Sequence, residues 1–98
     1  MSKTLTVVAH IRAKAGKEEQ VREALLSLIE PTRAEAGCVN YELHCALEDA
    51  ALFFFYENWV SREAWEEHLQ MPHLLALQAK AGELLAEPPE ITLWEHIG

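Results

Sequence analysis

The chain has 98 residues, half of them hydrophobic, with 16 acidic against 8 basic residues and a formal net charge of -8. This size predicts one globular domain over residues 1–98 with a thin core, which pairing with a second copy would enlarge. The acidic balance argues against nucleic acid and an anionic membrane surface as partners. Because no apolar run is long enough to span a bilayer, we expect a cytoplasmic protein.

The first third of the sequence predicts a strand followed by a helix. Apolar and polar residues alternate from Leu5 to Arg12, which is typical of a strand with one apolar face. From Lys17 the apolar residues recur at spacings of three and four, which indicates an amphipathic helix. We expect Pro31 either to kink this helix or to restart a last turn, and Gly37 to end the segment.

A β-hairpin and two helices follow. Alternation over residues 39–45, a polar turn at Glu48 and Asp49, and a strand-like segment over residues 52–59 predict the hairpin. Ser61 is a good N-cap for a helix that reaches to Pro72. A second helix follows over residues 74–85, and Pro88 and Pro89 then lead into a last strand over residues 91–97.

The element order β-α-β-β-α-α-β predicts an α+β fold with one antiparallel sheet and helices on one face. The residues expected under the helices are the odd-numbered ones, namely Leu5, Val7, Ala9, Ile11, Val39, Tyr41, Leu43, Phe53, Phe55, Ile91, Leu93 and Ile97. The even-numbered face still holds large side chains, among them Phe54, Tyr56 and Trp94. Such a face predicts a homodimer in which two sheets pack against each other.

Two residues are candidates for proton transfer. Glu57 shares the buried strand face with Phe55 and Trp59, and a buried carboxylate needs a partner or a pocket. His68 lies on the following helix, which folds back over this face, so an approach to Glu57 or Trp59 is geometrically plausible. A purely structural role remains open for both, as a buried ion pair for Glu57 and as a hydrogen-bonded core residue for His68.

Four further residues could shape a ligand pocket. Tyr41 and Trp59 could stack a planar ligand, Trp65 could contribute to its wall, and His73 could lie at its mouth, although each could also be a core or helix-start residue. The five His provide no i, i+4 pair, and the four Gly form no phosphate loop, so we propose no metal or nucleotide. The two Cys are expected to be reduced thiols.

The sequence resembles the antibiotic biosynthesis monooxygenase family, including its quinol monooxygenase-like members. The segments that carry the resemblance are Gly37 to Leu43, Phe53-x-Phe55-x-Glu57-x-Trp59, Ser61 to Ala64, His68-Leu69 and Pro72-His73. The resemblance implies a ferredoxin-like fold and a dimeric α+β barrel. It also implies oxidation of a quinol or polycyclic phenol by O2 without a cofactor.

Carried over to this chain, the resemblance makes Glu57 or His68 the base, Trp59 and Tyr41 the residues that orient the small aromatic substrate, and Trp65 and His73 the walls of its pocket. The haem-degrading branch of the fold is disfavoured, because Gln78 stands where that branch has its iron-binding His. A small-molecule isomerase of the same fold remains an alternative, as does a non-catalytic dimeric ligand-binding or stress-response module.

Overall fold

The computed structural model describes residues 4–98. Within this range the elements are β1 (Leu5–Arg12), α1 (Glu18–Leu26), α2 (Ile29–Arg33), β2 (Cys38–Ala46), β3 (Asp49–Trp59), α3 (Arg62–His68), α4 (Pro72–Leu84) and β4 (Glu90–Glu95). The strands form one antiparallel sheet in the order β2-β3-β1-β4. The predicted α+β, ferredoxin-like fold is confirmed.

Local sequence signals account for the helix boundaries. The side chain of Ser61 accepts a hydrogen bond of 3.1 Å from the backbone N–H of Ala64, as expected of an N-cap. The first helical segment divides in two, and Pro31 lies in the first turn of α2, where a missing N–H breaks no helical hydrogen bond. Pro72 likewise begins α4. The break at Pro31 separates α1 from α2, and the one at Pro72 separates α3 from α4.

The core lies between the helices and one face of the sheet. Its buried residues from the sheet are Val7, Ala9, Ile11, Tyr41, Phe53, Phe55 and Trp59. The helices contribute Val21, Leu25, Leu28, Trp65, Leu74 and Leu84. Burying each large side chain contributes roughly 1.5–3 kcal/mol. This packing fixes the helices over the centre of the sheet.

The prediction of which residues lie under the helices is wrong in two places. Val39 is 55% exposed, because a bulge places it as an extra residue between Cys38, opposite Trp59, and Asn40, opposite Asn58. In β4, Ile91 and Leu93 are also exposed. Since β4 is an edge strand paired only with β1, the helices over the sheet centre leave it uncovered.

The predicted last strand ends earlier than expected, at Glu95. Ile97, which was placed under the helices, therefore lies beyond the sheet and is exposed. Within residues 4–98, none of the helices has the length and apolar character needed to cross a membrane.

Candidate active site

A small cavity of about 70 Å³ lies between the sheet and the helices. Aliphatic side chains from β1 and α4 form much of its wall, and the aromatic rings of Tyr41, Phe55 and Trp65 form another part. Only two of its lining residues are ionisable at ordinary pH, Glu57 from β3 and His68 from α3. The cavity is therefore an apolar space that offers one carboxyl and one imidazole.

Glu57 is held in the cavity wall by the register of the sheet. It lies opposite Val7 of β1 and Tyr41 of β2, and it is 4% exposed. Its Oε1 accepts a hydrogen bond of 2.9 Å from the indole Nε1–H of Trp59. Burial, with a smaller contribution from the charge of Glu35, raises the pKa of Glu57 to about 7 against the opposing effect of the Trp59 hydrogen bond. This carboxyl can therefore exchange a proton near neutral pH.

His68 is the last residue of α3 and is 2% exposed. Its ring lies between two aromatic side chains, with centroid distances of 4.6 Å to Trp59 and 5.6 Å to Tyr41. Burial lowers the pKa of His68 and outweighs the raising effect of Glu35. The imidazole is consequently neutral near pH 7, which is the form that can accept a proton.

Glu35, which sequence reasoning missed, connects His68 to His73. Its Oε2 lies 2.8 Å from Nδ1 of His68 and 2.8 Å from Nε2 of His73, and its side chain is 8% exposed. In the sequence Glu35 reads as one more charge in a polar segment before Gly37. The available signal was its position just before β2, whose first residue, Cys38, pairs with Trp59.

The three ligand-type atoms of Glu35, His68 and His73 lie within 4.8 Å of one another, close enough to hold a metal ion. The spacing of the histidines along the chain did not predict this, because the new helix that begins at Pro72 brings His73 back toward His68. Two short hydrogen bonds already satisfy Oε2 of Glu35, Nδ1 of His68 and Nε2 of His73 without an ion. The absence of a metal here stays a prediction.

The four predicted pocket residues occupy different positions. Tyr41 and Trp65 line the cavity, and the Tyr41 ring stacks on Phe55 with centroids 4.4 Å apart. Burial raises the pKa of Tyr41 well above its usual value, so its phenol is neutral. Trp59 is fully buried and acts on Glu57 through its hydrogen bond, whereas His73 lies beyond Glu35, outside the cavity wall.

The two cysteines are free, as expected. Burial raises the pKa of the Cys38 thiol to about 11, with a smaller contribution from the charge of Glu35. A thiol with such a pKa stays protonated near neutral pH and is a poor nucleophile. Neither cysteine lines the cavity.

The fold and the cavity define a small α+β protein with a buried carboxyl and a buried imidazole in the wall of a cavity between sheet and helices. The family model described as antibiotic biosynthesis monooxygenase matches residues 4–80. The chain belongs to this family.

Relatives and solved structures agree with this assignment. The Mycobacterium tuberculosis protein named "Putative monooxygenase Rv0793" is 36% identical over 93 residues, which cover 95% of this chain and 91% of that protein. A Synechocystis protein, sll1783, is 32% identical over 91 residues, and the match spans 93% of this chain but only 62% of that longer relative.

Among solved structures, PA3566 from Pseudomonas aeruginosa superposes with a TM-score of 0.95 at 35% identity, covering 100% of this chain and 98% of that one. The structure of Rv0793 superposes with a TM-score of 0.91 at 32% identity, covering 97% and 96% of the two chains.

Proposed function

We propose that this protein is a cofactor-independent monooxygenase that oxidises a quinol with O2 in the cavity between the sheet and the helices. The observation that carries the proposal is the presence of Glu57 and His68 in the wall of one otherwise apolar cavity. Both groups change protonation state at a pH where a quinol hydroxyl is still protonated, because burial raises the pKa of Glu57 to about 7 and lowers that of His68.

The proposed oxidation of a quinol by O2 requires transfer of a proton and exclusion of water. The base takes the proton of a ring hydroxyl, so that the O–H bond breaks and its electron pair stays on the ring as a phenolate. This electron-rich anion reduces O2, and one oxygen atom becomes bonded to the ring. The other leaves as water, so that a hydroquinone and O2 give a hydroxyquinone and water. A dry cavity protects the oxygenated intermediate from side reactions.

The size of the cavity favours a single-ring substrate. One water molecule needs about 10–15 Å³ of such space, and the cavity offers about 70 Å³. That is room for about five waters and about half of the roughly 150 Å³ of a cavity that binds benzene, so even a single ring requires side chains of the wall to move. A fused-ring phenol would require the rim formed by Leu77, Pro89 and Ile91 to open. We therefore place single-ring quinols ahead of polycyclic phenols.

We also propose that the protein works as a homodimer. The sheet face away from the helices exposes Tyr56 (41%) and Trp94 (56%) in the protomer. Its polar residues are linked by hydrogen bonds, from Thr6 to Asn58 (2.6 Å) and from Asn58 to Asn40 (2.9 Å). Apolar side chains beside satisfied polar groups are typical of a protein interface.

The test is oxygen uptake by purified, chelator-treated protein with a panel of hydroquinones and with anthrone. The wild type should consume O2 faster than the uncatalysed reaction, and His68→Ala or Glu57→Gln should slow it by about 10²-fold or more, the usual contribution of a general base. His96→Ala is the matched control, because His96 is exposed and lies outside the cavity.

Absence of uptake by folded wild-type protein with every substrate of the panel would contradict the proposed function. An isomerase or a non-catalytic ligand-binding module would then be the remaining hypotheses for the function of this cavity. Uptake that is unchanged in both variants would place the chemistry elsewhere in the chain.

A further inference from the structure

We propose that Glu35 is the positioning residue of this site: it holds the Nδ1–H of His68, so that Nε2 is the ring nitrogen that takes the proton of the substrate. His73 anchors Glu35 from the other side. The kinetic consequence rests on the proposed function, whereas the protonation pattern of the two histidines does not.

The hydrogen bonds place Glu35 behind His68. Both N···O distances are 2.8 Å, within the range of about 2.7–2.9 Å for bonds between a nitrogen donor and a carboxylate. The two nitrogens of an imidazole lie on different sides of the ring, so Nε2 is directed away from Glu35. His68 lines the cavity, and neither Glu35 nor His73 does. The free nitrogen is therefore the one available to a ligand.

The contact decides which tautomer His68 adopts. A neutral imidazole carries one N–H and one acceptor nitrogen. A carboxylate oxygen can only accept, so a bond to Glu35 requires the proton on Nδ1 and leaves the lone pair on Nε2. Without Glu35 the proton could move to Nε2, and that tautomer cannot act as a base toward the cavity.

Glu35 also lowers the cost of charging His68. When the O–H bond of the substrate breaks and a bond forms between that proton and Nε2, the imidazolium has 2% exposure and little help from water. The carboxylate at 2.8 Å offsets the new charge. The orienting carboxylate of a serine protease triad acts in the same way, and its loss costs about 10⁴-fold in kcat.

His73 accounts for the position of the carboxylate. It donates to the same Oε2 from α4, and it is the most exposed of the three, with 19% of its side chain accessible. Glu35 follows α2 in a connecting segment, where a long side chain would otherwise have several rotamers. The second donor fixes one of them.

The test compares the wild type with Glu35→Gln, which keeps the size of the side chain and removes its charge. Glu30→Gln is the matched control, because Glu30 is exposed and lies on the neighbouring helix α2. Nitrogen-15 NMR of labelled histidine reports the protonated nitrogen of His68 directly. We expect one tautomer with the proton on Nδ1 in the wild type and in Glu30→Gln, and a mixture in Glu35→Gln.

The variant should also change how His68 titrates. Glu35 raises the pKa of His68, so Glu35→Gln should lower it further in the same spectra. The other titratable groups around the ring are Glu57 from β3, Tyr41 from β2 and His73 from α4, and all of them remain in the variant. Oxygen uptake should lose at least about tenfold in kcat with little change in KM.

Two results would overturn the proposal: a wild-type His68 protonated on Nε2, or an unchanged tautomer and kcat in a folded Glu35→Gln variant. Saturable shifts of His68 and His73 together on addition of one equivalent of Zn²⁺ would overturn it in favour of a metal centre. Wild-type protein without oxygen uptake would contradict the proposed function alone, since the spectra establish the tautomer independently.

Discussion

Glu57 makes the stability of the folded protein depend on pH. Its pKa rises from 4.5 to about 7 on folding, mainly through burial. The folded state therefore binds the proton more tightly than the unfolded state, and this contribution to stability is complete below pH 4.5 and falls as the pH rises toward 7. The shift corresponds to a loss on the order of 3 kcal/mol.

Glu57→Gln should remove this dependence, because an amide does not ionise and can still accept the N–H of Trp59. We expect the free energy of unfolding of the variant, relative to wild type, to increase by about 2–3 kcal/mol between pH 4.5 and pH 8. Urea denaturation at several pH values measures it. A difference that stays constant with pH would show that Glu57 keeps an ordinary pKa.

At the scale of the residue, the sequence was informative where a side chain broke a pattern. Glu57 stood out because it interrupted an apolar strand face, and the structure places it in the cavity wall. Glu35 broke no pattern, because it is an acidic residue in a polar segment, and such a residue is usually exposed to solvent. The hydrogen-bond partner of His68 is this residue, and only the folded chain brings them together.

At the scale of the element, Gly37 determines how closely α3 approaches the sheet. A methyl group at Gly37 would overlap the Cβ of Ala64 on α3. The backbone also joins here, since the carbonyl of Gly37 accepts a hydrogen bond of 2.9 Å from Val60. Because α3 carries Trp65 and His68, this contact also positions two walls of the cavity.

Gly37→Ala should destabilise the protein by about 1–3 kcal/mol, the usual cost of forcing an extra methyl into a packed contact. Gly82→Ala is the matched control, because a methyl there meets no atom within 4 Å. Gly82 lies inside α4, so this change should stabilise by about 0.5–1 kcal/mol. Chemical denaturation measures both effects.

The double variant Gly37→Ala, Ala64→Gly separates contact from backbone strain. It removes the Cβ that the new methyl would meet. Ala64→Gly alone should cost about 0.5–1 kcal/mol, because a glycine is unfavourable in a helix. Gly37 has no positive φ, so adding Gly37→Ala to Ala64→Gly should cost little more stability. If Gly37→Ala costs as much in the Ala64→Gly background as in the wild type, the cost lies in the backbone.

The elements that the sequence predicted well were specified by neighbours in the chain. The hairpin of β2 and β3 and the Ser61 N-cap depend on residues only a few positions apart. The exposure of Val39 depends on a bulge in the pairing of β2 with β3, and that of Ile91 on which strand the helices leave uncovered. Alternation along one strand contains neither piece of information.

At the scale of the whole molecule, the open sheet face carries a cluster of aromatic rings. The rings of His44 and Phe54 are nearly parallel, at 8° with centroids 4.4 Å apart, and His10 lies 5.8 Å from Phe54. Tyr56 follows on the same face of the same strand and is 41% exposed. Because a chain of this size has a thin core, covering this face in the proposed homodimer would add to its buried apolar area.

Tyr56→Glu should therefore weaken the proposed homodimer without unfolding the protomer. Two-fold symmetry introduces the carboxylate twice, so each dimer would have to bury two new charges. We expect the dissociation constant to rise by about 10²-fold or more, which corresponds to about 3 kcal/mol. Sedimentation velocity over a range of concentrations measures this change, and circular dichroism checks the fold.

Leu75→Glu is the control for Tyr56→Glu, because Leu75 has a similar exposure of 45% and lies on α4, on the helical side of the sheet. It adds the same charge, so a general effect of greater negative charge would weaken both variants equally. Dissociation in Tyr56→Glu alone places the interface on the open sheet face. A wild type that sediments as a monomer at micromolar concentration would contradict the dimer, and the thin core would then have to be stable without a partner.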